Sequence, residues 1–304
     1  MALVCFNYNF GESLMSNNII DNLPEKLQEN YLKYIMPVDL NISLDSVILS
    51  ADNKRQIDEF IVETKYKQEF IKHGLKPINR LMFYGASGTG KTYLSKALTN
   101  YFSYTMLYVD IATSLNAGTA ADAINATFEL ANYIGKAVVM FDECDAVCWA
   151  RDDSANRDEA SIRRATNAIF QNLDQMNPEC VFIAATNLFD NLDTAFKNRF
   201  NMWLKFERPL IENLDEDFKR LLLPGFYIEH DFSEEVKKSL WFYARNFDQL
   251  SYRIMTDWVE RAEKSAIING TMAVSESIIY GHLMDAMRMK VGKDKNGKIY
   301  LYNE

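Results

Sequence analysis

Between about residues 41 and 208, short apolar runs alternate with segments of helical periodicity. Uninterrupted apolar strands separated by helices are typical of a parallel sheet that is covered on both faces. One helix opens with Thr119 and Asp122, which have the spacing of a capping box. The pattern therefore predicts an α/β domain over residues 41–208. Its candidate strands are RLMFY (80–84), TMLYVD (105–110), AVVMFD (137–142), CVFIAAT (180–186) and MWLKF (202–206), and its candidate helices are 92–102, a segment from about 120, and 159–176.

The chain has a different pattern on each side of this domain. DNLPEKLQENYLKYIMP predicts a helix within an N-terminal extension, residues 1–40, with Pro24 near the first turn. After Pro209 the strand signals stop, and helical periodicity alone predicts a small all-helical domain over residues 209–292. The pair Asn296-Gly297 is a turn signal before a β-prone run, so residues 293–304 are predicted to form a tail or a short hairpin.

Composition narrows the classes of protein. The chain is 48% hydrophobic and 25% charged, and its formal net charge of −9 argues against broad contact with nucleic-acid phosphates. No run approaches the roughly 18–20 apolar residues of a membrane span, and MALVCF is too short for a signal peptide. Cys144 and Cys148 are four residues apart, but no second Cys or His pair completes a zinc pattern. We therefore expect reduced thiols in a cytoplasmic protein without a membrane partner.

The stretch GASGTGKT follows the first candidate strand and opens the first candidate helix. It fits the phosphate-binding pattern G-x-x-x-x-G-K-[ST] in the required strand–loop–helix context. Its glycines allow successive N–H groups to point inward at phosphates, and the helix directs its positive end at the same point. Lys91 is expected to reach the β- and γ-phosphates, and the Thr92 hydroxyl to bind Mg²⁺. The nucleotide-binding residues are predicted to be Gly85, Ala86, Ser87, Gly88, Thr89, Gly90, Lys91 and Thr92.

Acidic and amide residues end two other candidate strands. AVVMFDEC places Asp142 and Glu143 at the end of an apolar run. Asp142 is predicted to hold Mg²⁺, and Glu143 to deprotonate the attacking water, with Asp145 the next candidate base. CVFIAATN delivers Asn187, whose amide is predicted to position that water. The Asp-Glu pair favours ATP hydrolysis over phosphoryl transfer to a metabolite.

Together these motifs resemble the AAA+ ATPases of the AAA clade, over about residues 41–290. DSVILSADNKRQIDEFI resembles the segment before the P-loop of that family, HGLKPINRLMFYGASGTGKTYLSKAL its Walker A unit and VVMFDECDA its Walker B. AATNLFDNLDTAFKNRF resembles its second region of homology, with Asn187 as sensor 1. The resemblance implies a P-loop NTPase fold with a five-stranded parallel sheet in the order 5-1-4-3-2, a helical lid, and a homo-hexameric ring with ATP between subunits.

The chain departs from the family pattern at two places. Where the family commonly carries two arginines that reach the neighbouring nucleotide, this chain has Asn198 and Arg199, so Arg199 alone is the expected arginine finger; the alternative is a surface ion pair. At the pore loop, the aromatic position is Asn116, which grips an extended chain less well than a ring. Arg151, Arg163 and Arg164 flank an acidic loop (152–159) and are candidates for a neighbour contact or a solvated face, and Arg253 resembles a sensor 2 residue weakly.

The motifs lead to one preferred function and to rivals in other classes. We expect an ATPase, dependent on Mg²⁺, that remodels or disassembles a protein partner, with Lys91 and Arg199 stabilising charge on the transferring phosphoryl group. The first rival is an AAA+ loader or initiator that acts on DNA-associated complexes. The acidic charge and the lack of a helix-turn-helix or zinc module argue against it. The second rival is an ATP-binding switch with negligible turnover.

Overall fold

The computed structural model divides into two compact units. The first unit contains residues up to 42, residues 55–84 and residues 95–204, and the second contains residues 43–54, 85–94 and those from 205 onward. The predicted domain limits at 41–208 and 209–292 are a different division of the chain and stay predictions. The structure describes residues 22–36, 38–148, 159–228, 230–247, 250–289, 291–293 and 299–301.

A five-stranded sheet forms from the five predicted apolar runs. The strand order is β2-β3-β4-β1-β5, which confirms the expected order 5-1-4-3-2. β1 pairs with β4 in parallel, and β3 pairs in parallel with both β2 and β4. Every residue of β3 and β4 is buried, whereas β5 alternates between buried and exposed residues, as suits an edge strand. The strands are β1 (Arg80–Gly85), β2 (Thr105–Val109), β3 (Ala137–Phe141), β4 (Val181–Thr186) and β5 (Met202–Phe206).

Seven helices precede β5 in the described part of the chain. The core of the first unit includes three phenylalanine rings, from Phe128, Phe141 and Phe182, whose centroids lie 5.2–6.0 Å apart. Each such pair contributes about 0.5–1.5 kcal/mol beyond its buried area. The helices are α1 (Glu25–Tyr34), α2 (Ala51–Lys72), α3 (Lys91–Phe102), α4 (Ile111–Asn116), α5 (Ala120–Ile134), α6 (Glu159–Gln175) and α7 (Thr194–Lys197).

The starts of two helices differ from the prediction. Helix α5 begins after Thr119, but the Thr119 side chain makes no cap hydrogen bond; its hydroxyl donates to the carbonyl of Ser114 instead, so the expected capping box does not form. Helix α1 is shorter than expected, and Pro24 is its N-cap, near the first turn as predicted. Beyond α1, Met36 forms an isolated antiparallel bridge with Tyr108, so this segment partly covers the edge of β2.

In the described residues between 209 and 289, the chain forms four helices, as the periodicity predicts, and two strands that the pattern did not indicate. β6 (Tyr227–Ile228) and β7 (Ala273–Val274) pair in parallel, which corrects the expectation of helices alone. Two-residue strands are too short to produce a periodic signal. The apolar core of this unit includes Leu214, Phe218, Leu240, Trp258 and Leu283. The helices are α8 (Leu214–Leu221), α9 (Glu234–Phe247), α10 (Tyr252–Ile268) and α11 (Glu276–Met289).

Two further observations concern the end of the chain and its helices. β8 (Val291–Lys293) pairs antiparallel with β9 (Ile299–Leu301), whereas the Asn296-Gly297 turn signal lies outside the described residues. None of the helices that the structure describes combines the length and the apolar character needed to cross a bilayer.

Candidate active site

The GASGTGKT stretch forms a tight loop between β1 and α3. Gly85 has φ 140°, and a Cβ placed there would lie 2.0 Å from the backbone oxygen of Phe206. The side chain of Lys91 folds back over the loop, where its Nζ donates to the carbonyls of Gly85 (2.9 Å) and Ala86 (2.8 Å). The Thr89 hydroxyl is buried and donates to the same Ala86 carbonyl. The loop therefore holds the Lys91 ammonium group with its own backbone carbonyls.

Replacing Gly85 with alanine is expected to destabilise the fold by about 1–3 kcal/mol, because the new Cβ meets backbone and the φ value is unfavourable for an L-residue. It should also weaken ATP binding, since the loop carbonyls that hold Lys91 must shift. Thermal unfolding and calorimetry measure the two effects. Gly74→Ala is the matched control: Gly74 also has positive φ, but a Cβ there meets no atom within 4 Å. That variant should lose stability without losing ATP affinity. Equal ATP affinity in both variants would contradict the prediction.

The first turn of α10 packs against the loop. The backbone N–H of Arg253 donates to the carbonyl of Gly88 (3.1 Å). Ser251 caps α10 by accepting from the N–H of Ile254, and a Cβ at Gly88 would lie 2.7 Å from the Ser251 hydroxyl. The structure thus places Arg253, the weak sensor 2 candidate, beside the phosphate-binding loop, and its side chain is exposed.

The loop has the features that nucleotide phosphates require. Apart from its two chain neighbours, no described residue has an atom within 4 Å of a Cβ placed at Gly90, so this side of the loop has room for a ligand. Helix α3 begins at Lys91, and its N-terminal N–H groups favour an anion. Ser87 is exposed, and Thr92 is half-buried in the first turn of α3. These residues fit the predicted phosphate site.

Asp142 and Glu143 follow β3 directly, and the two carboxyl groups have different environments. The half-buried Asp142 accepts from the N–H of Glu143 (3.0 Å) and from the hydroxyl of Tyr108 (3.4 Å). Burial and the negative charge of Asp142 raise the pKa of Tyr108 to about 12, so this hydroxyl stays a donor at neutral pH. Glu143 is exposed and has left-handed backbone angles, φ 51° and ψ 43°. Such a conformation costs about 1–2 kcal/mol for a residue other than glycine and is often associated with function.

The alternative base, Asp145, is committed to a structural contact. Its Oδ1 accepts from the buried hydroxyl of Thr186 at 2.6 Å, and that hydroxyl also accepts from the N–H of Leu188. Asn187, between Thr186 and Leu188, directly follows β4 and is exposed. The geometry therefore favours Glu143 over Asp145 as the group that can reach a water molecule.

Thr92 carries a hydroxyl and Asp142 a carboxylate, and each is an oxygen group of the kind that binds Mg²⁺. The described residues contain no cluster of three His, Cys, Asp or Glu side chains that could hold a metal by themselves. Mg²⁺ commonly binds through one or two protein oxygens together with substrate phosphates, rather than in an all-protein cage. A hydroxyl and a carboxylate therefore match a metal that enters with a nucleotide.

Arg199 contacts groups of its own unit. Its Nη1 donates to the carbonyl of Ala195 (2.9 Å), its Nη2 lies 3.5 Å from Asp174 Oδ2, and its guanidinium stacks 4.0 Å from the ring centroid of Phe170. Arg80 supports this arrangement from β1, since it donates to the carbonyls of Leu173 and Arg199. Both arginine Nε atoms are buried without a hydrogen-bond partner among the described atoms.

The remaining sequence predictions fall in three places. Asn116 is the exposed last residue of α4. Arg163 and Arg164 lie exposed in α6, whereas Arg151 and the acidic loop up to residue 158 lie outside the described residues. Sequence reasoning missed the Tyr108–Asp142 and Thr186–Asp145 contacts, because strand register decides them.

Sequence reasoning also missed a cavity in the second unit. Its volume is about 180 Å³, and one of its walls is Thr89 of the phosphate-binding loop. No sequence motif marks it, because its walls come from four separate segments. Other residues that line it are Ile48, Asn53, Phe206, Asp217 and Tyr252.

Comparison with known proteins agrees with this architecture. Residues 81–208 match the family described as "ATPase family associated with various cellular activities (AAA)". The chain is 34% identical over 167 residues, 54% of its length, to "Uncharacterized AAA family ATPase y4kL" of Sinorhizobium fredii, covering 50% of that protein. It is 28% identical over 219 residues, 69% of its length, to the proteasome-activating nucleotidase of Methanopyrus kandleri, again covering 50%. The chain thus spans about half the length of these curated relatives.

A solved structure shows the same fold. The crystal structure of the FIGL-1 AAA domain superposes with a TM-score of 0.62, covering 88% of this chain and 91% of that one at 20% sequence identity. The strand order, the strand–loop–helix geometry at GASGTGKT and the family match at residues 81–208 all agree. Residues 81–208 of the chain therefore form a domain of the AAA family of ATPases.

Proposed function

We propose that this chain binds ATP together with Mg²⁺ and hydrolyses it. One observation carries the proposal. β3, β4 and β1 are neighbours in the sheet, and the chain continues from them into Asp142-Glu143, Asn187 and the GASGTGKT loop. Carboxyl ends of parallel strands share one edge, where α/β proteins bind ligands. Three sets of groups suited to phosphoryl chemistry therefore leave adjacent strands at the same edge.

Each residue has a distinct role in this proposal. The backbone of residues 85–92 binds the phosphates, and Lys91 contacts the β- and γ-phosphates. Thr92 and Asp142 hold Mg²⁺, which supplies positive charge at the phosphate oxygens. Glu143 takes a proton from the attacking water, and Asn187 orients that water. Arg199 stabilises charge on the transferring phosphoryl group of a neighbouring subunit in a homo-hexamer.

A protein is the proposed partner, remodelled or disassembled with the energy of ATP. The name of the Methanopyrus kandleri relative, a proteasome-activating nucleotidase, supports action on protein. The net charge of −9 disfavours a nucleic-acid track. Asn116 stands where a threading pore loop requires a ring, which supports brief remodelling over processive threading. The free thiols of Cys144, Cys148 and Cys180 support the cytoplasm as the compartment.

Replacing Lys91 with alanine is expected to weaken ATP binding by about ten- to a hundredfold, the value of charge-assisted hydrogen bonds. Lys91 supplies the side-chain cation of the loop, and alanine leaves only backbone donors. Calorimetry measures the dissociation constant. Lys96→Ala, on the same helix, is the matched control and should bind ATP like the wild type. Unchanged affinity in Lys91→Ala would overturn the nucleotide site. The same preparations report turnover with and without single-stranded DNA, and strong stimulation by DNA would favour the loader over the protein remodeller.

A further inference from the structure

The cavity beside the phosphate-binding loop contains a buried carboxylate. Asp217, on α8, lines the cavity and is 5% exposed. Burying a carboxylate is costly unless hydrogen bonds replace its water. A carboxylate has about four acceptor positions on two oxygens. A single cavity-lining residue of this kind can decide which ligand fits.

One oxygen of this carboxylate is already held. The hydroxyl of Tyr252 donates to Asp217 Oδ2 at 3.1 Å. Tyr252 is in turn fixed by its place in the first turn of α10, next to the Ser251 cap. Among the described residues, Tyr252 is the side chain that donates to the Asp217 carboxylate. Oδ1 can therefore accept a hydrogen bond from a ligand. Burial raises the pKa of Asp217 above its ordinary value, and the Tyr252 hydrogen bond and the charge of Arg220 offset only part of this rise.

The rest of the cavity suits a flat apolar ring. Ile48, Leu49 and Phe206 contribute apolar wall, and Thr89 connects the cavity to the loop that is proposed to bind phosphates. A nucleotide whose phosphates lie in that loop can direct its base into this space. The aromatic face of a purine gains from apolar walls, while its edge requires a polar partner.

We propose that Asp217 selects the base of the nucleotide, with Oδ1 accepting a hydrogen bond from the 6-amino group of adenine and Tyr252 holding Oδ2 in place. The proposal rests on the proposed ATP site. A purine with a 6-keto oxygen places an acceptor against an acceptor, so it loses the hydrogen bond and adds repulsion. Because the Tyr252 hydroxyl occupies Oδ2, the carboxylate has one oxygen, Oδ1, for the base instead of two. That arrangement matches a single amino group better than the paired N1–H and 2-amino donors of guanine.

The test compares five nucleotides: ATP, GTP, inosine triphosphate, purine riboside triphosphate and 2′-deoxy-ATP. Calorimetry without Mg²⁺ avoids hydrolysis. The wild type should bind inosine and purine riboside triphosphates about ten- to a hundredfold more weakly than ATP, the cost of one hydrogen bond to a charged group. In Asp217→Asn, the amide both donates and accepts, so the ratio between ATP and inosine triphosphate should fall to about threefold or less. Glu212→Gln, at an exposed carboxylate just before α8 and outside the cavity lining, should keep the wild-type ratio.

The outcomes separate this inference from the ATP site itself. A wild type that binds no ATP, or whose affinity survives Lys91→Ala, removes the site and the inference with it. ATP binding with equal affinity for purine riboside triphosphate overturns the inference alone, and this arm needs no variant to fold. Tighter binding of GTP than ATP, or a loss confined to 2′-deoxy-ATP, assigns Asp217 to guanine or to ribose and equally overturns it. A folded Asp217→Asn protein that keeps the wild-type ratio between ATP and inosine triphosphate affinities would also overturn the inference.

Discussion

Replacing Glu143 with glutamine is expected to lower ATP turnover by about two to four orders of magnitude, the usual contribution of a general base. Glutamine keeps the size and the hydrogen-bonding reach of glutamate but cannot take a proton. ATP binding should persist, because the phosphate-binding groups lie in residues 85–92 and Asp142 remains. Steady-state turnover and the dissociation constant for ATP are the measurements. The variant should therefore accumulate with ATP bound, which makes it the preparation in which to isolate the protein partner.

Asp145→Asn is the matched control for that experiment. Asp145 is only two residues away, but its Oδ1 is bonded to the Thr186 hydroxyl, so its loss should reduce stability more than it reduces turnover per folded molecule. Glu143, in contrast, is exposed and in a left-handed conformation, so glutamine there should change thermal stability little. If the Glu143 variant turned over ATP like the wild type while the folded Asp145 variant did not, the base would be Asp145.

The sheet could be predicted from the sequence because its strands are short, apolar and uninterrupted. β3 and β4 are buried along their whole length, so their sequences contain no charged or amide side chain until Asp142 and Asn187. The same boundary that ends the strand marks the candidate site. The GASGTGKT loop could be predicted for a related reason. Position 85 accepts only glycine, because any Cβ there would lie 2.0 Å from the backbone oxygen of Phe206.

The contacts that orient these groups could not be predicted. Tyr108 reaches Asp142 because β2 and β3 pair in a register that places Tyr108 beside Met140. Apolar periodicity predicts that two strands exist, but it contains no information on their offset. The cavity around Asp217 depends in the same way on which segments meet, and in the sequence Asp217 looks like one of several acids in a helical first turn.

Arg199 illustrates how the structure changes the interpretation of a motif. The sequence left a finger and a surface ion pair as alternatives, and the structure contains an ion pair with Asp174 and a stacked Phe170. The Asp174 side chain is 59% exposed, so solvent screens this pair and it contributes only about 0–1 kcal/mol. A cation–π contact at an exposed site adds about 0.5–1 kcal/mol. Contacts of this size can orient a guanidinium and still release it to a phosphate.

Removing Arg199 is therefore expected to lower turnover by a factor of about 10³, the lower end for an arginine finger, with little change in ATP affinity. Asn198 can donate only neutral hydrogen bonds and should not replace the lost charge. Asp174→Asn removes the ion pair but keeps Arg199, so it should hydrolyse ATP near the wild-type rate. If both variants lost turnover and stability equally, Arg199 would act through the local contact with Asp174 and not on phosphate.

Mixing variants decides whether Arg199 acts across a subunit boundary. Arg199→Ala subunits keep an intact ATP site, whereas Lys91→Ala subunits keep Arg199 but bind ATP poorly. When the two are combined, an Arg199 side chain from one subunit can complete the ATP site of its neighbour, so part of the lost turnover should return. The rescue should depend on the mixing ratio, because only sites formed between unlike neighbours are complete. Turnover in the mixture no higher than in the separate variants, with mixed assemblies confirmed by mass measurement, would exclude a shared site, because every other group needed for hydrolysis is present in the Arg199→Ala subunit.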